Sequence, residues 1–197
     1  MRILVTNDDV INARGLWTLA KALREVAGVV VVAPEREQSA VGTSVTLRSP
    51  LRATPITPLV EGVEAYSVEG TPSDCVILAL GNLVGGVDMV ISGINHGANL
   101  GDDVLISGTV GAALQGHFHG LPSIAISVAT PGDASLAVAA RLAVLLAKKV
   151  STDASLKEIL LNVNLPNLPL EEIEGLEITR LGGRGYQDTV EEGVDSK

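Results

Sequence analysis

Short apolar runs separated by segments of helical period make up most of this chain. Ile3 to Thr6, Val29 to Ala33, Val87 to Ser92, Ser123 to Val128 and Ile159 to Val163 are rich in Val, Ile and Leu and do not alternate strictly with polar residues. Such runs predict strands buried on both faces. Leu16 to Ala27, Asp74 to Leu83, Val110 to His119 and Ser135 to Val150 carry helical patterns. Strands and helices in alternation predict an α/β fold with a mainly parallel sheet and helices on both faces.

One stretch breaks the alternation. Thr43 to Val68 holds β-branched residues and Pro50, Pro55 and Pro58 without helical period, and predicts a β excursion, either antiparallel strands or a long departure from the sheet. After it, Thr71-Pro72-Ser73-Asp74 has the form of a helix start, with Thr71 as cap, Pro72 at the first helical position and Asp74 as the capping-box acid. From Gly182 onward the residues are glycine-rich, polar and acidic. We therefore expect one α/β domain over 1–181 and, over 182–197, a polar tail or the start of an oligomerisation arm.

Composition narrows the chemistry. Aromatics are 2% of the 197 residues, so the core is aliphatic, and 21 glycines predict many tight loops. A net charge of -9 argues against binding a nucleic-acid polymer. A small anionic substrate remains open if a cation offsets the field locally. The single cysteine, Cys75, reads as core and favours a reducing compartment. With no signal-peptide pattern and no apolar run long enough to span a bilayer, a cytoplasmic protein away from membranes is expected.

Four segments carry candidate chemistry. The first strand ends in Asn7-Asp8-Asp9. Adjacent carboxylates repel each other, and a hard divalent cation such as Mg²⁺ or Mn²⁺ relieves that repulsion; a cap with a solvated neighbour is the plainer reading. Ser92-Gly93-Ile94-Asn95-His96-Gly97-Ala98-Asn99-Leu100-Gly101 offers backbone close to a ligand and carboxamides at Asn95 and Asn99, against a background of ordinary turn chemistry. Ile106-Ser107-Gly108-Thr109-Val110 reads as a helix start able to bind an anion, or simply as capping by Ser107; it lacks the lysine of a Walker A loop. Glu35 to Gly42 follows the second strand, and Ser39 within it is unremarkable by itself. His117 and His119, two apart on a helix, do not have metal spacing, and His96 reads as a bystander near substrate.

Taken together and in order, Ile3-Leu4-Val5-Thr6-Asn7-Asp8-Asp9, Val32 to Ser39, Gly70 to Cys75, Ser92-Gly93-Ile94-Asn95 and Ser107-Gly108-Thr109-Val110 strongly resemble the SurE family of metal-dependent nucleoside monophosphate phosphatases. The match runs from Met1 to about Arg180. The resemblance implies a Rossmann-like fold and one divalent cation per subunit, Mg²⁺ or Mn²⁺, on Asp8, Asp9, Ser39 and Asn95. It implies phosphate contacts from Asn95, Asn99, Ser107, Gly108 and Thr109, and catalysis by Asp8 and Asp9. It also implies hydrolysis of nucleoside 5′- and 3′-monophosphates, in some members of short polyphosphate, and assembly as a homodimer or homotetramer through parts beyond Lys197.

One departure stands out. The family pattern has Gly after the acidic pair, where this chain has Val10. A β-branched residue resists backbone conformations open to Gly, so a strained loop is expected. The alternative function is then a catalytically impaired nucleotide-binding or assembly protein of the same fold. Two other families with acidic strand ends fit less well. Receiver domains need a further Asp and a Lys at later strand ends, and haloacid-dehalogenase phosphatases need two Asp separated by one residue.

Overall fold

The computed structural model describes residues 1–130 and 132–183. Apart from Gly182 and Gly183, the tail predicted over 182–197 lies outside the described residues. The elements run β1 (Arg2–Thr6), α1 (Arg14–Leu23), β2 (Gly28–Pro34), β3 (Ala53–Pro55), β4 (Glu64–Val68), α2 (Pro72–Leu78), β5 (Met89–His96), α3 (Gly108–Phe118), β6 (Ser123–Val128), α4 (Asp133–Thr152) and β7 (Leu160–Leu165). They build one seven-stranded sheet in the order β3-β4-β2-β1-β5-β6-β7. All neighbouring pairs are parallel except β3–β4.

Helices cover both faces, which is why the strands are apolar throughout. Ile3, Val5, Val29, Val31, Met89, Ile91, Ile124 and Ile126 pack with Leu16, Leu19 and Leu23 of α1 and with α4. Leu4, Val30, Val32 and Val90, one residue out of phase, pack on the other face with Cys75 and Val76 of α2 and Ala112 of α3. In α4, Ala139, Ala143 and Ala147 recur every four residues and are fully buried, so that helix turns its smallest side chains toward the core it shares with α1.

Three expectations change in detail. The segment predicted as a β excursion supplies β3 and β4, antiparallel to each other, but β4 also joins the main sheet beside β2. The predicted helix over 74–83 starts at Pro72 and gives way at Leu78 to a wide π-type turn over Ala79–Leu83. Its start is the expected capping box: Asp74 N–H donates to Thr71 Oγ1 (3.1 Å) and Thr71 N–H to Asp74 Oδ2 (2.9 Å). Asp74 also accepts from the N–H (2.9 Å) and hydroxyl (2.8 Å) of Thr46, tying the loop before β3 to α2.

The third change concerns β5, which runs to His96 rather than stopping at Ser92. Its pairing with β6 passes from Gly93↔Ile126 to Asn95↔Ser127, leaving Ile94 as the extra residue of a bulge. Gly93 has φ +134°, and a Cβ there would lie 2.3 Å from the Ile126 carbonyl oxygen. The strand bulge by itself therefore requires this glycine. The sequence pattern could not register a strand that continues through a Gly and an Asn.

The same stretch packs against α1 without clearance. A Cβ on Gly15 would lie 2.3 Å from the Ile94 carbonyl oxygen. Alanine is normally favoured over glycine in a helix by about 1 kcal/mol, but forcing a methyl onto backbone costs about 1–3 kcal/mol. The clash wins, because the opposing atom belongs to a sheet strand. Gly15→Ala is expected to lower the urea midpoint, and an unchanged or higher midpoint would show that the contact yields.

Candidate active site

Strand order reverses between β1 and β5: from β1 the chain builds outward through β2 to β4, and from β5 outward through β6 to β7. In open parallel sheets the crevice at such a switch, beyond the carboxyl ends of the strands, is the ligand site. Asp8 and Asp9 follow β1, the Glu37–Ser39 loop follows β2, and Asn95 is the penultimate residue of β5. The amino end of α3, which carries Ser107, Gly108 and Thr109, returns to the same crevice.

Asp8 is the joint between these parts. Its side chain is buried, and Thr109 binds both of its oxygens: the backbone N–H donates to Oδ2 at 3.0 Å and the hydroxyl to Oδ1. The anion at the α3 amino end is thus Asp8 itself, held where helix-start donors and the dipole favour negative charge. Gly108 makes room for it, since a Cβ there would sit 2.8 Å from Asp8 Cβ. Ser107 caps the helix, its hydroxyl accepting from Val110 N–H at 3.1 Å.

Backbone bonds fix the surrounding loops. Gln38 N–H donates to the Asp8 carbonyl (2.7 Å), Ile11 N–H to Pro34 O (2.8 Å) and Gly42 N–H to Ile106 O (2.8 Å). Trp17 Nε1–H donates to Ile11 O at 2.6 Å. A Cβ on Gly111 would fall 2.2 Å from the Gly42 carbonyl oxygen, so the loop bearing Ser39 lies directly on α3. Ser39 itself is exposed and donates to Glu37 Oε1 at 2.8 Å.

Electrostatically the two acids of the crevice are poorly compensated. Burial raises the Asp8 carboxyl above its ordinary value even though the Thr109 bonds pull it down. Asp9 is raised from 3.8 to about 6, first by burial and then by the Asp8 charge, with His96 offsetting a part and Glu37 adding to the rise. Asp9 Oδ2 is buried and has no hydrogen-bond partner. An unpartnered buried carboxylate oxygen beside a second carboxylate is the environment a cation relieves. Among the described residues no group of three or more His, Cys, Asp or Glu side chains forms a metal cluster. Two carboxylates supplemented by neutral oxygens make a hard donor set, which suits Mg²⁺ or Mn²⁺.

The two asparagines differ. Asn95 is half-buried and its Nδ2 donates to Gly97 O at 2.8 Å, which leaves Oδ1 as the end able to meet a cation. Asn99 is buried within a polar network: its Nδ2 donates to Ser127 Oγ (2.9 Å) and its N–H to Asn164 Oδ1 (2.7 Å), while its carbonyl accepts from Asn162 (2.9 Å) and Asn164 (3.1 Å).

A profile of the family described as "Survival protein SurE" matches residues 3–188. The chain belongs to the SurE family. A protein named 5′-nucleotidase SurE from Dehalococcoides mccartyi (strain CBDB1) is 54% identical over 200 residues, covering 100% of this chain and 76% of that protein. One of the same name from Vibrio cholerae serotype O1 (strain N16961) is 48% identical, covering 96% of this chain and 74% of that one. The crystal structure of the SurE protein from Aquifex aeolicus superposes with a TM-score of 0.83 at 39% identity, over 95% of this chain and 75% of its own.

Against the SurE pattern Val10 was expected to strain the acidic loop, and it does not. Among the described residues Ala40 is the one non-glycine at positive φ, so Val10 keeps an ordinary backbone. Its side chain packs against the core shared with α1, and its carbonyl accepts from Asn7 Nδ2 (3.0 Å) and Ala13 N–H (2.9 Å).

Residue-by-residue reading missed Glu37, the Asn162–Asn164 pair and the use Thr109 makes of its donors. Asparagine is depleted in strands, so two of them at i and i+2 near the end of a predicted strand were the available signal for the pair. Nothing in the local pattern marks Glu37.

The raised Asp9 carboxyl gives a stability prediction. Below 3.8 it is protonated whether the chain is folded or not, and the shift has no effect. As pH rises toward about 6 the unfolded chain releases this proton first, so metal-free stability falls, and above that range the penalty is constant. Asp9→Asn should therefore raise the Tm of metal-free protein by several degrees near neutral pH, and leave it almost unchanged near about pH 3.5. Equal effects at both pH values would contradict the assignment.

Proposed function

We propose that the chain hydrolyses nucleoside 5′-monophosphates, and 3′-monophosphates, to nucleoside and phosphate with the help of a divalent cation. The observation that carries this reading is the pair of acids at the β1–β5 switch, Asp8 buried and Asp9 half-buried. One of them is clamped to the amino end of α3, and the other keeps a buried, unpartnered oxygen. The relatives named 5′-nucleotidase SurE support the substrate class.

Asp8, Asp9, Ser39 and Asn95 would hold the cation. When bound, Mg²⁺ or Mn²⁺ polarises a phosphate oxygen and offsets the developing charge. The chain's own groups do the rest. Thr109 and Gly108 hold Asp8 in one orientation, so no rotamer search precedes the reaction. Asp9, with an oxygen not engaged by protein, is the acid free to orient a water molecule and take its proton. With both Thr109 donors taken by Asp8 and Ser107 capping the helix, Gly108 N–H, at the first helical position and without an intrahelical acceptor, is the helix-start donor left for the phosphate. Asn99 secures the loop on which Asn95 begins. The exposed Leu168, Leu170, Leu176, Ile178 and Leu181, after β7, support assembly as a homodimer or homotetramer.

Phosphate release from nucleoside monophosphates should require added Mg²⁺ or Mn²⁺ and stop on chelation. Asp8→Asn, which removes the charge and keeps the shape, should lower kcat at least about a hundredfold. Undiminished turnover in that variant, or full activity in chelator, would rule the reading out.

A further inference from the structure

We propose that Asn162 and Asn164 on the edge strand β7 are positioning residues for the site, acting through Asn99 on the loop between Asn95 and α3. The proposal rests on the nucleotidase reading above and extends it to residues that touch neither substrate nor cation.

The two side chains imitate a strand. Asn164 Oδ1 accepts from Asn99 N–H at 2.7 Å while Asn164 Nδ2 donates to Asn99 O at 3.1 Å, so one carboxamide satisfies both backbone groups of the loop residue. Asn162 Nδ2 adds a second donor to the same carbonyl at 2.9 Å. Residues i and i+2 of a strand share a face, which is why both reach one point. The loop's own contribution is Asn99 Nδ2, which donates to Ser127 Oγ at 2.9 Å. Ser127 is in turn the register partner of Asn95. Gly97 N–H donates to Val128 O at 2.9 Å, so the loop is tied to β6 on one side of Asn99 and to β7 at Asn99 itself.

The consequence follows from where this loop begins and ends. It leaves β5 at Asn95 and His96, turns through Gly101–Leu105, and enters α3 at Ser107. Both ends carry groups of the site: the Asn95 carboxamide, and the helix start that clamps Asp8. Asn99 is 7% exposed although polar, so releasing its bonds would leave buried donors and an acceptor unsatisfied. The network therefore specifies one position for the loop and thereby sets Asn95 relative to Asp8. Strand pairing does not need asparagine side chains; their hydrogen bonds to the loop account for them.

The test compares the unmodified chain with N164A, which removes both bonds to Asn99, N164D, which keeps the acceptor and removes the donor, and N162A, which removes one donor from an exposed position. Amide exchange over 96–107, Mn²⁺ affinity by electron paramagnetic resonance, and kcat and KM for a nucleoside 5′-monophosphate are measured on each. N164A is expected to exchange faster at 96–107 and not in β1 or α1. Its Mn²⁺ affinity and kcat should fall roughly 10–100-fold, as for other groups that orient a ligand from behind, with KM changing less and N164D, whose second carboxylate oxygen would face the Asn99 carbonyl, falling at least as far. If N164A does not fold, N162A carries the same comparison with smaller changes. A lower Tm with unaltered Mn²⁺ affinity and kcat in the folded variant would overturn the proposal, since a merely structural pair would behave that way. Inactivity or absent Mn²⁺ binding in the unmodified chain would count against the nucleotidase reading instead. The exchange arm then decides the proposal, and unchanged protection over 96–107 would overturn it.

Discussion

Burial of the Asp8 carboxylate against the start of α3 is the constraint on which the rest of the site depends. It joins residues 101 positions apart in sequence and binds the end of β1 to the element that follows β5. A carboxylate taken out of water costs several kcal/mol unless it is paired or hydrogen-bonded. Two donors from Thr109 and the helix dipole recover a part, yet burial still holds the Asp8 carboxyl above its ordinary value. The remainder is an unmet demand for positive charge at the switch point of the sheet. Under the proposed function, this cost to the fold is what a bound cation would relieve.

Four glycines around the crevice and its supporting elements are required by neighbouring protein atoms. Gly108 clears Asp8, Gly111 clears the Gly42 carbonyl, Gly15 clears Ile94, and Gly93 allows the bulge that carries Asn95. Each permits an approach of backbone that no side chain would allow. The loops around the crevice are therefore held by close packing and backbone hydrogen bonds, with few long side chains involved. That suits a chain with almost no aromatic residues.

Much of this was legible in the sequence, for reasons that can be named. Strands buried on both faces leave apolar runs, so β1, β2, β5, β6 and β7 were visible, and the Thr71–Asp74 capping box was visible because its chemistry is local. Asp8 and Asp9 stood out because adjacent acids at a strand end are costly. Contacts between distant segments were not legible. No local pattern says that the Thr109 donors go to Asp8 rather than to phosphate, that Asn99 is buried beneath β7 asparagines, or that Glu37 adds its charge to the pair. The bulge was hidden because Gly93 and Asn95 read as turn residues. Ser39 entered through the family resemblance alone; an exposed serine in a loop carries no signal of its own.

The central claim is that the two acids, Asn95 and the α3 start form one metal–phosphate crevice. Anomalous diffraction from crystals grown with Mn²⁺ and a non-hydrolysable nucleoside 5′-monophosphate analogue tests it most directly. The account predicts one Mn²⁺ peak bounded by Asp8, Asp9 and Asn95, with the phosphate beside it toward Gly108. Ordered analogue at a different place, or Mn²⁺ bound away from both acids, would contradict it.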